Sequence, residues 1–228
     1  MHRRGFSLLK TIIAIVVLVA LTSMVAHTFM SWVPRNLQDV DGTGPVELGA
    51  KIPDLTERLR EAIQKNYVVK ITEEDLNRYI ASKLELTQSS IVDDYVKITG
   101  VYVDLKPNLI DVSIEREFDI PNNQQSDGSK KLGFMPFSQT VSMQIELQTT
   151  DSDDGGKERS LTFPGGNFGK APAPGSLVRI VKPSFDVIAE VFEEEIKLSY
   201  KEMTSVVVSD GFITLDPRPV IIRQGRPE

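Results

Sequence analysis

The chain contains the stretch YVKITGVYVDLKPNLIDVSIEREF, residues 95–118. Its first half is rich in β-branched side chains, and its second half alternates apolar and polar residues with the period of two that a half-buried strand requires. Pro107 and Asn108 between the halves favour a turn. Gly100 shifts the phase of the first half, which predicts a β-bulge. The stretch therefore predicts a β-hairpin with one buried face.

Two more hairpins are predicted farther along the chain. Residues 141–147 alternate in the same way, and residues 158–163 are expected to pair with them. Near the C-terminus, Asp210-Gly211 is a strong two-residue turn between the strands of residues 204–209 and 212–215.

Helical periodicity appears on both sides of the first two hairpins. Residues 72–84 begin with Thr72 as N-cap and Asp75 at the capping-box position, and an earlier helix begins after Asp54. A Pro- and Gly-rich loop, residues 164–175, leads to the longest helical pattern, residues 176–203, in which a kink is expected at Pro183. Its apolar stripe is predicted from Leu177, Ile180, Val181, Ile188, Val191 and Phe192, with Ser184 among them, and Glu193, Glu194 and Glu195 are predicted to face water.

The order of these elements gives the fold class. Two helices, four strands, a long helix and two strands predict an α+β domain, in which a curved antiparallel sheet packs on the long C-terminal helix.

The N-terminus carries a separate signal. Residues 11–33 contain no Asp, Glu, Lys or Arg, and a helix of that length covers the roughly 30 Å hydrocarbon layer of a bilayer. Arg3, Arg4 and Lys10 precede it, and the positive-inside rule places that end in the cytoplasm. A cleaved signal peptide is the competing interpretation, but Met24-Val25-Ala26 is a poor cleavage site because Met stands where a small residue is preferred.

These signals predict the domain organisation. A cytoplasmic tail of residues 1–10 precedes a transmembrane helix over 11–33, a linker over 34–50 and an extracytoplasmic α+β domain over 51–228. The expected location is the inner (cytoplasmic) membrane, crossed once. The membrane itself is therefore the first predicted partner.

Composition excludes several functions. The chain has no cysteine, and its two histidines, His2 and His27, lie in the tail and the apolar segment. The domain thus lacks thiolate and imidazole ligands or bases. Removing the three basic residues of the first 34 positions from 26 leaves 23 against 32 acidic ones, a charge of about −9 that disfavours nucleic acid. No enzyme, cofactor or metal site is predicted.

Two glycine-containing loops partly match known ligand-site patterns. Asp151–Gly156 has calcium-loop character, but the fifth and twelfth positions of an EF-hand would be Gly155 and Thr162, so a solvated hairpin loop is favoured. Gly165–Lys170 is one residue short of a phosphate loop, and Ala171 replaces the magnesium-binding hydroxyl, so that site is rejected.

The remaining functional signal is apolar. Large hydrophobic side chains stand in predicted loops, where they either rim a ligand opening or pack over the ends of the core. These residues are Phe134, Met135, Phe137 and Phe168.

The helix start Ile71-Thr72-Glu73-Glu74-Asp75-Leu76-Asn77-Arg78-Tyr79-Ile80 resembles the opening of small bacterial envelope proteins related to the tubular lipid-binding (TULIP-like) superfamily. Gly169-Lys170-Ala171-Pro172 and the ending around Asp210-Gly211-Phe212-Ile213 are similar to further features of such proteins. The resemblance implies a curved antiparallel sheet wrapped around a long helix, with lipid held in the gap. It carries over no site residue.

The N-terminus resembles a second family. Gly5-Phe6-Ser7-Leu8-Leu9 is similar to the start of type IV prepilins, although Lys10 replaces their Glu and Pro34 interrupts the helix that pilins continue into the head.

The functional expectation follows from both parts of the chain. The first hypothesis is a membrane-anchored, non-enzymatic extracytoplasmic module that binds a lipid or another hydrophobic ligand. The alternatives are a structural or interaction component of the envelope that has a filled core and a protein partner, and a pseudopilin-like secretion component.

Overall fold

The computed structural model describes residues 4–37, 39–42, 54–87, 96–118, 137–151 and 157–219. The fold is α+β, as the sequence predicts. The helices are α1 (Arg4–Trp32), α2 (Leu55–Lys65), α3 (Glu73–Thr87), α4 (Gly175–Val191) and α5 (Glu193–Lys197), the last continued by a π-helix over Leu198–Glu202. The strands are β1 (Val69–Thr72), β2 (Val96–Lys106), β3 (Leu109–Phe118), β4 (Phe137–Asp151), β5 (Lys157–Thr162), β6 (Gly165–Phe168), β7 (Ala171–Pro174), β8 (Ser205–Ser209) and β9 (Phe212–Asp216).

The strands form two antiparallel sheets. The main sheet has the order β2-β3-β4-β6-β7, with β5 paired to the far part of β4, and the small sheet has the order β1-β9-β8. All three predicted hairpins are confirmed. The register of β2 and β3 shifts between Ile98 and Gly100, which confirms the predicted bulge.

Each sheet has its own core. One face of the main sheet, which we call the core face, packs against α4 and α3 through side chains such as Val103, Ile114 and Val141. The small sheet packs against α2 through Leu59 and Leu215. Asp54 caps α2 and Thr72 caps α3 with hydrogen bonds of 3.0 and 3.2 Å, as predicted.

The long C-terminal helix differs from the prediction. It breaks at Phe192, where the prediction had one continuous helix, while Pro183, the position of the expected kink, lies inside α4. Leu177 and Ile180, predicted in the buried stripe, are 42% and 72% exposed. The pattern over residues 176–203 has apolar side chains on two faces of the helix. The sheet packs against the face next to the predicted one. The α4 side chains that this face buries are Val178, Val181, Phe185 and Ile188.

The predicted Pro/Gly-rich loop is also wrong, because residues 165–174 form the β6–β7 hairpin. Gly166 makes this possible: a Cβ there would lie 1.9 Å from the carbonyl oxygen of Ser142 on β4. Pro172 and Pro174 are tolerated because β7 is an edge strand, where a missing N–H leaves no ladder bond unmade.

The N-terminal helix stands apart from both cores. α1 ends two residues before Pro34, as predicted. Its segment Ile12–Trp32, 21 residues long, is apolar and long enough to cross a membrane, and none of its side chains is buried against the domain. Phe29 and Trp32 at its end are 71% and 57% exposed.

Candidate functional site

The end of α1 is docked on the turn between β6 and β7. The Lys170 backbone N–H donates to the Met30 carbonyl at 3.0 Å, and the Gly169 N–H donates to the Thr140 carbonyl of β4 at 2.7 Å. The first bond satisfies one of the carbonyls that a helix end leaves free. Gly169 has φ +54°, and a Cβ there would lie 2.3 Å from the Val33 carbonyl oxygen. Only glycine fits this contact without displacement.

Part of the predicted linker packs onto the domain. We call residues 34–37 and 39–42 the strap. Arg35 places one nitrogen 2.8 Å from Asp111 and another 3.4 Å from Asp104, on the face of the main sheet opposite to the core face. Asp111 is 2% exposed, so it depends on this partner. Burial alone would lower the pKa of Arg35, but the hydrogen bond and charge of Asp111 outweigh it and raise that pKa.

Two buried polar residues of α3 join the strap to the edge of the main sheet. Glu73 accepts from the N–H of Asp41 at 2.8 Å and from the N–H of Leu105 at 2.7 Å. Asn77 donates to the Asp41 carbonyl and exchanges two hydrogen bonds with the backbone of Val103. These contacts cover the unpaired groups of β2 as a neighbouring strand would.

Sequence analysis gave neither Glu73 nor Asn77 a role of its own. A signal was present, because residues 73 and 77 continue the buried face of Ile80 and Leu84 at helical spacing. A polar residue on such a face is buried and must find partners.

A second polar cluster gathers around Glu195, which sequence analysis predicted to face water. That prediction is wrong, since Glu195 is 9% exposed. Its Oε1 accepts from Thr56 at 2.6 Å, from Lys83 at 2.6 Å and from the Tyr79 hydroxyl. The helix break at Phe192 turns Glu195 inward, which the uninterrupted helical pattern could not reveal.

The cluster perturbs two pKa values. Burial alone would raise the pKa of Glu195, but the hydrogen bonds from its three partners outweigh burial and lower that pKa to about 2. Burial and the bond to Glu195 raise the pKa of Tyr79 to about 12. An open cleft of 680 Å³ lies beside the cluster, with charged walls that include Arg60, Lys83 and Lys197.

The lowered pKa of Glu195 makes a stability prediction. Its charged form is favoured in the folded protein, so its contribution is complete above the ordinary value of 4.5 and is lost as the pH falls towards about 2. We expect the difference in unfolding free energy between wild type and Glu195→Gln to be constant above about pH 5.5 and to shrink below it. Chemical denaturation at several pH values measures this difference. A matched Glu194→Gln variant, at an exposed position, should show a small difference at every pH.

The predicted hydrophobic rim is only partly described. Phe134 and Met135 lie outside the described residues, as does the side chain of Phe137, whose backbone begins β4. Phe168 lies on β6, not in a loop, and its half-buried ring packs against the main core.

A charged residue that sequence analysis did not single out lies on the core face between these phenylalanine positions. The register pairs Phe118 with Phe137 and Arg116 with Gln139, while Val141 pairs with Phe168. Alternate residues share a face, so Arg116 and Gln139 form a polar row between two apolar rows. The alternation of apolar side chains through Ile110, Val112, Ile114 and Phe118 leaves Arg116 as the exception, which is the signal that could have found it.

The guanidinium of Arg116 is incompletely compensated. It donates to Gln139 Oε1 at 2.7 Å and stacks 5.1 Å from the centre of the Phe118 ring. Its Nε is buried without a hydrogen-bond partner, and no described carboxylate forms an ion pair with it. Burial lowers the pKa of Arg116. A half-buried cation in this state favours an anion that can reach it.

The polar row lies at the end of the sheet that α1 contacts. Gln139 precedes Thr140, whose carbonyl accepts the bond from Gly169, and Gly169 lies against the last turn of α1. Arg116 and the docked helix end thus share one end of the main sheet. The turn of Pro107 and Asn108 marks the other end, about 30 Å away at 3.3 Å per residue.

The described residues form no metal site, and comparison with known proteins assigns the chain to no family. The described residues contain no group of three or more His, Asp or Glu side chains that could hold a metal ion. No known protein-family model matches the chain, and no curated protein matches it at a significant level.

Proposed function

We propose that the chain is a single-pass membrane protein whose α+β domain works outside the cytoplasm as a non-enzymatic module that binds a lipid. The apolar helix spans the inner membrane, and the basic residues before it hold the short tail in the cytoplasm. The resemblance to tubular lipid-binding proteins gives the ligand class.

The observation that carries this proposal is the docking of α1 on the Gly169–Lys170 turn. The Lys170 N–H binds the Met30 carbonyl in the last turn of α1, which supports a domain held at the bilayer surface without a free spacer. The end of the main sheet that carries Arg116 then faces the lipid head groups. A lipid can reach this end without crossing water.

The alternative is a structural component of the envelope that binds a protein. The 680 Å³ cleft supports it, because charged walls suit a polar partner better than an acyl chain. Ile114 and Val141 of the main core are fully buried, as a filled core requires. A protein partner would then bind at the cleft, on a domain presented by the same anchor.

Lipid retention tests the proposed function. Full-length protein is purified in detergent, washed extensively, extracted with organic solvent and analysed by mass spectrometry. We expect one lipid class to remain in a fixed ratio to protein after repeated washing. Lipid that decreases steadily with washing to none would contradict lipid binding and favour the protein-partner alternative.

A further inference from the structure

Arg116 has an environment that a purely structural arginine rarely has. It lies on the core face of the main sheet, where the other positions of its strand are apolar. Its described partners are a neutral amide and an aromatic ring, and neither carries a negative charge that would compensate the guanidinium. The acidic neighbours on β3, Glu115 and Glu117, point to the opposite face because side chains alternate along a strand.

We infer that Arg116 binds the anionic head group of a membrane lipid. This inference rests on the proposed function, and it names the ligand class of the same site. Arginine suits phosphate and carboxylate oxygens because its planar guanidinium donates several hydrogen bonds in a fixed geometry. Gln139 accepts from Arg116 through its carbonyl oxygen, so its amide N–H₂ group can supply a further donor.

The surrounding rows fit an amphipathic ligand. Phe118 lies on the same face of β3 as Arg116, about 7 Å from it towards the bilayer end of the sheet, at the spacing of alternate residues. A lipid whose head group reaches Arg116 would pass its acyl chains over the Phe118 ring towards the membrane. Each methylene buried there contributes about 0.8 kcal/mol.

Arg116 differs from the cations of the cleft beside Glu195 in its lack of a described carboxylate partner. In the cleft, Lys83 and Arg60 already form ion pairs with Glu195 and Glu194. At Arg116 the described residues offer no carboxylate, so an added anion gains an interaction instead of replacing one.

The test uses full-length protein in nanodiscs of phosphatidylcholine that contain a minor share of phosphatidylglycerol or, in a second set, oleate. Native mass spectrometry then counts the lipids that stay bound after release from the disc. Wild type should retain the anionic lipid over phosphatidylcholine. The phosphatidylglycerol and oleate sets distinguish a phosphate head from a carboxylate.

Arg116→Gln should reduce this preference at least tenfold, and Arg116→Lys should keep part of it because the charge remains. Lys97→Gln, an exposed cation on the neighbouring strand β2, is the matched control and should behave as wild type. If Arg116→Gln fails to fold, the comparison of wild type with Arg116→Lys carries the test, with a weaker preference expected for lysine.

Three results would overturn parts of the proposal. An anionic preference that is equal in wild type, Arg116→Gln and Lys97→Gln would remove Arg116 from the site. Retention of phosphatidylcholine and anionic lipids in equal amounts would reject the head-group class, while lipid binding itself would stand. Retention of no lipid by wild type would reject the proposed function as well.

Discussion

Gly169→Ala should destabilise the full-length protein by about 2–4 kcal/mol and detach the end of α1 from the domain. The positive φ of +54° strains an L-residue, and the new Cβ would meet three carbonyl oxygens of residues 30–33 at 2.3–2.9 Å. Those oxygens belong to backbone, so the helix end must move. Thermal unfolding in detergent measures the loss of stability, and spin-label distances between α1 and β4 measure the detachment.

Gly211→Ala is the matched control. Gly211 also has a positive φ, +73°, but nothing lies within 4 Å of the added Cβ. We expect a loss of only about 1 kcal/mol and an unchanged α1–β4 distance. Equal effects of both variants on stability and distance would show that strain alone matters and that the docking contact is unimportant.

Arg35→Ala should destabilise the protein by about 3–5 kcal/mol, because it leaves the carboxylate of Asp111 buried without its cation. Asp111 is 2% exposed, and its Oδ1 already has no hydrogen-bond partner. The strap should then leave the sheet. Denaturant unfolding gives the free energy, and limited proteolysis at the strap reports its release.

Two further variants give this prediction its controls. Adding Asp111→Asn to Arg35→Ala removes the buried charge and should recover part of the lost stability. Arg60→Ala breaks an ion pair whose side chains are 58% and 49% exposed, and it should change stability by less than about 1 kcal/mol. A loss for Arg35→Ala as small as that for Arg60→Ala would contradict the role given to the strap.

Local patterns predicted the parts of the fold that depend on neighbours in sequence. The hairpin of residues 95–118, its bulge at Gly100 and the turn at Gly211 each follow from period-two alternation and turn chemistry within a few residues. The caps at Asp54 and Thr72 are local in the same sense.

Other predictions failed where the local sequence allows more than one structure and tertiary packing determines which one forms. Apolar side chains lie on more than one face of α4, and only the sheet decides that Val178 and Phe185 are buried while Ile180 is not. The β6–β7 hairpin contains Pro and Gly, and the local sequence alone therefore indicates a loop. Its close contact with the β4 backbone at Gly166 is invisible in the sequence.

The candidate site was the least predictable part of the molecule. Arg35 and Asp111 are 76 residues apart, and Thr56 and Glu195 are 139 apart, so no local window contains either contact. Arg116 was an exception within its alternating strand, but an exception alone does not reveal whether a partner lies across the sheet. The register with Gln139 supplies that information.

In the proposed arrangement, the Arg116 end of the main sheet faces the bilayer. Since the chain has no cysteine, Ser138→Cys near that end and Pro107→Cys at the far end can each carry a single fluorophore. Both positions are exposed. In vesicles with head-group nitroxide lipids, we expect strong quenching at residue 138 and little at residue 107. Equal quenching at both positions, or stronger quenching at residue 107, would contradict it.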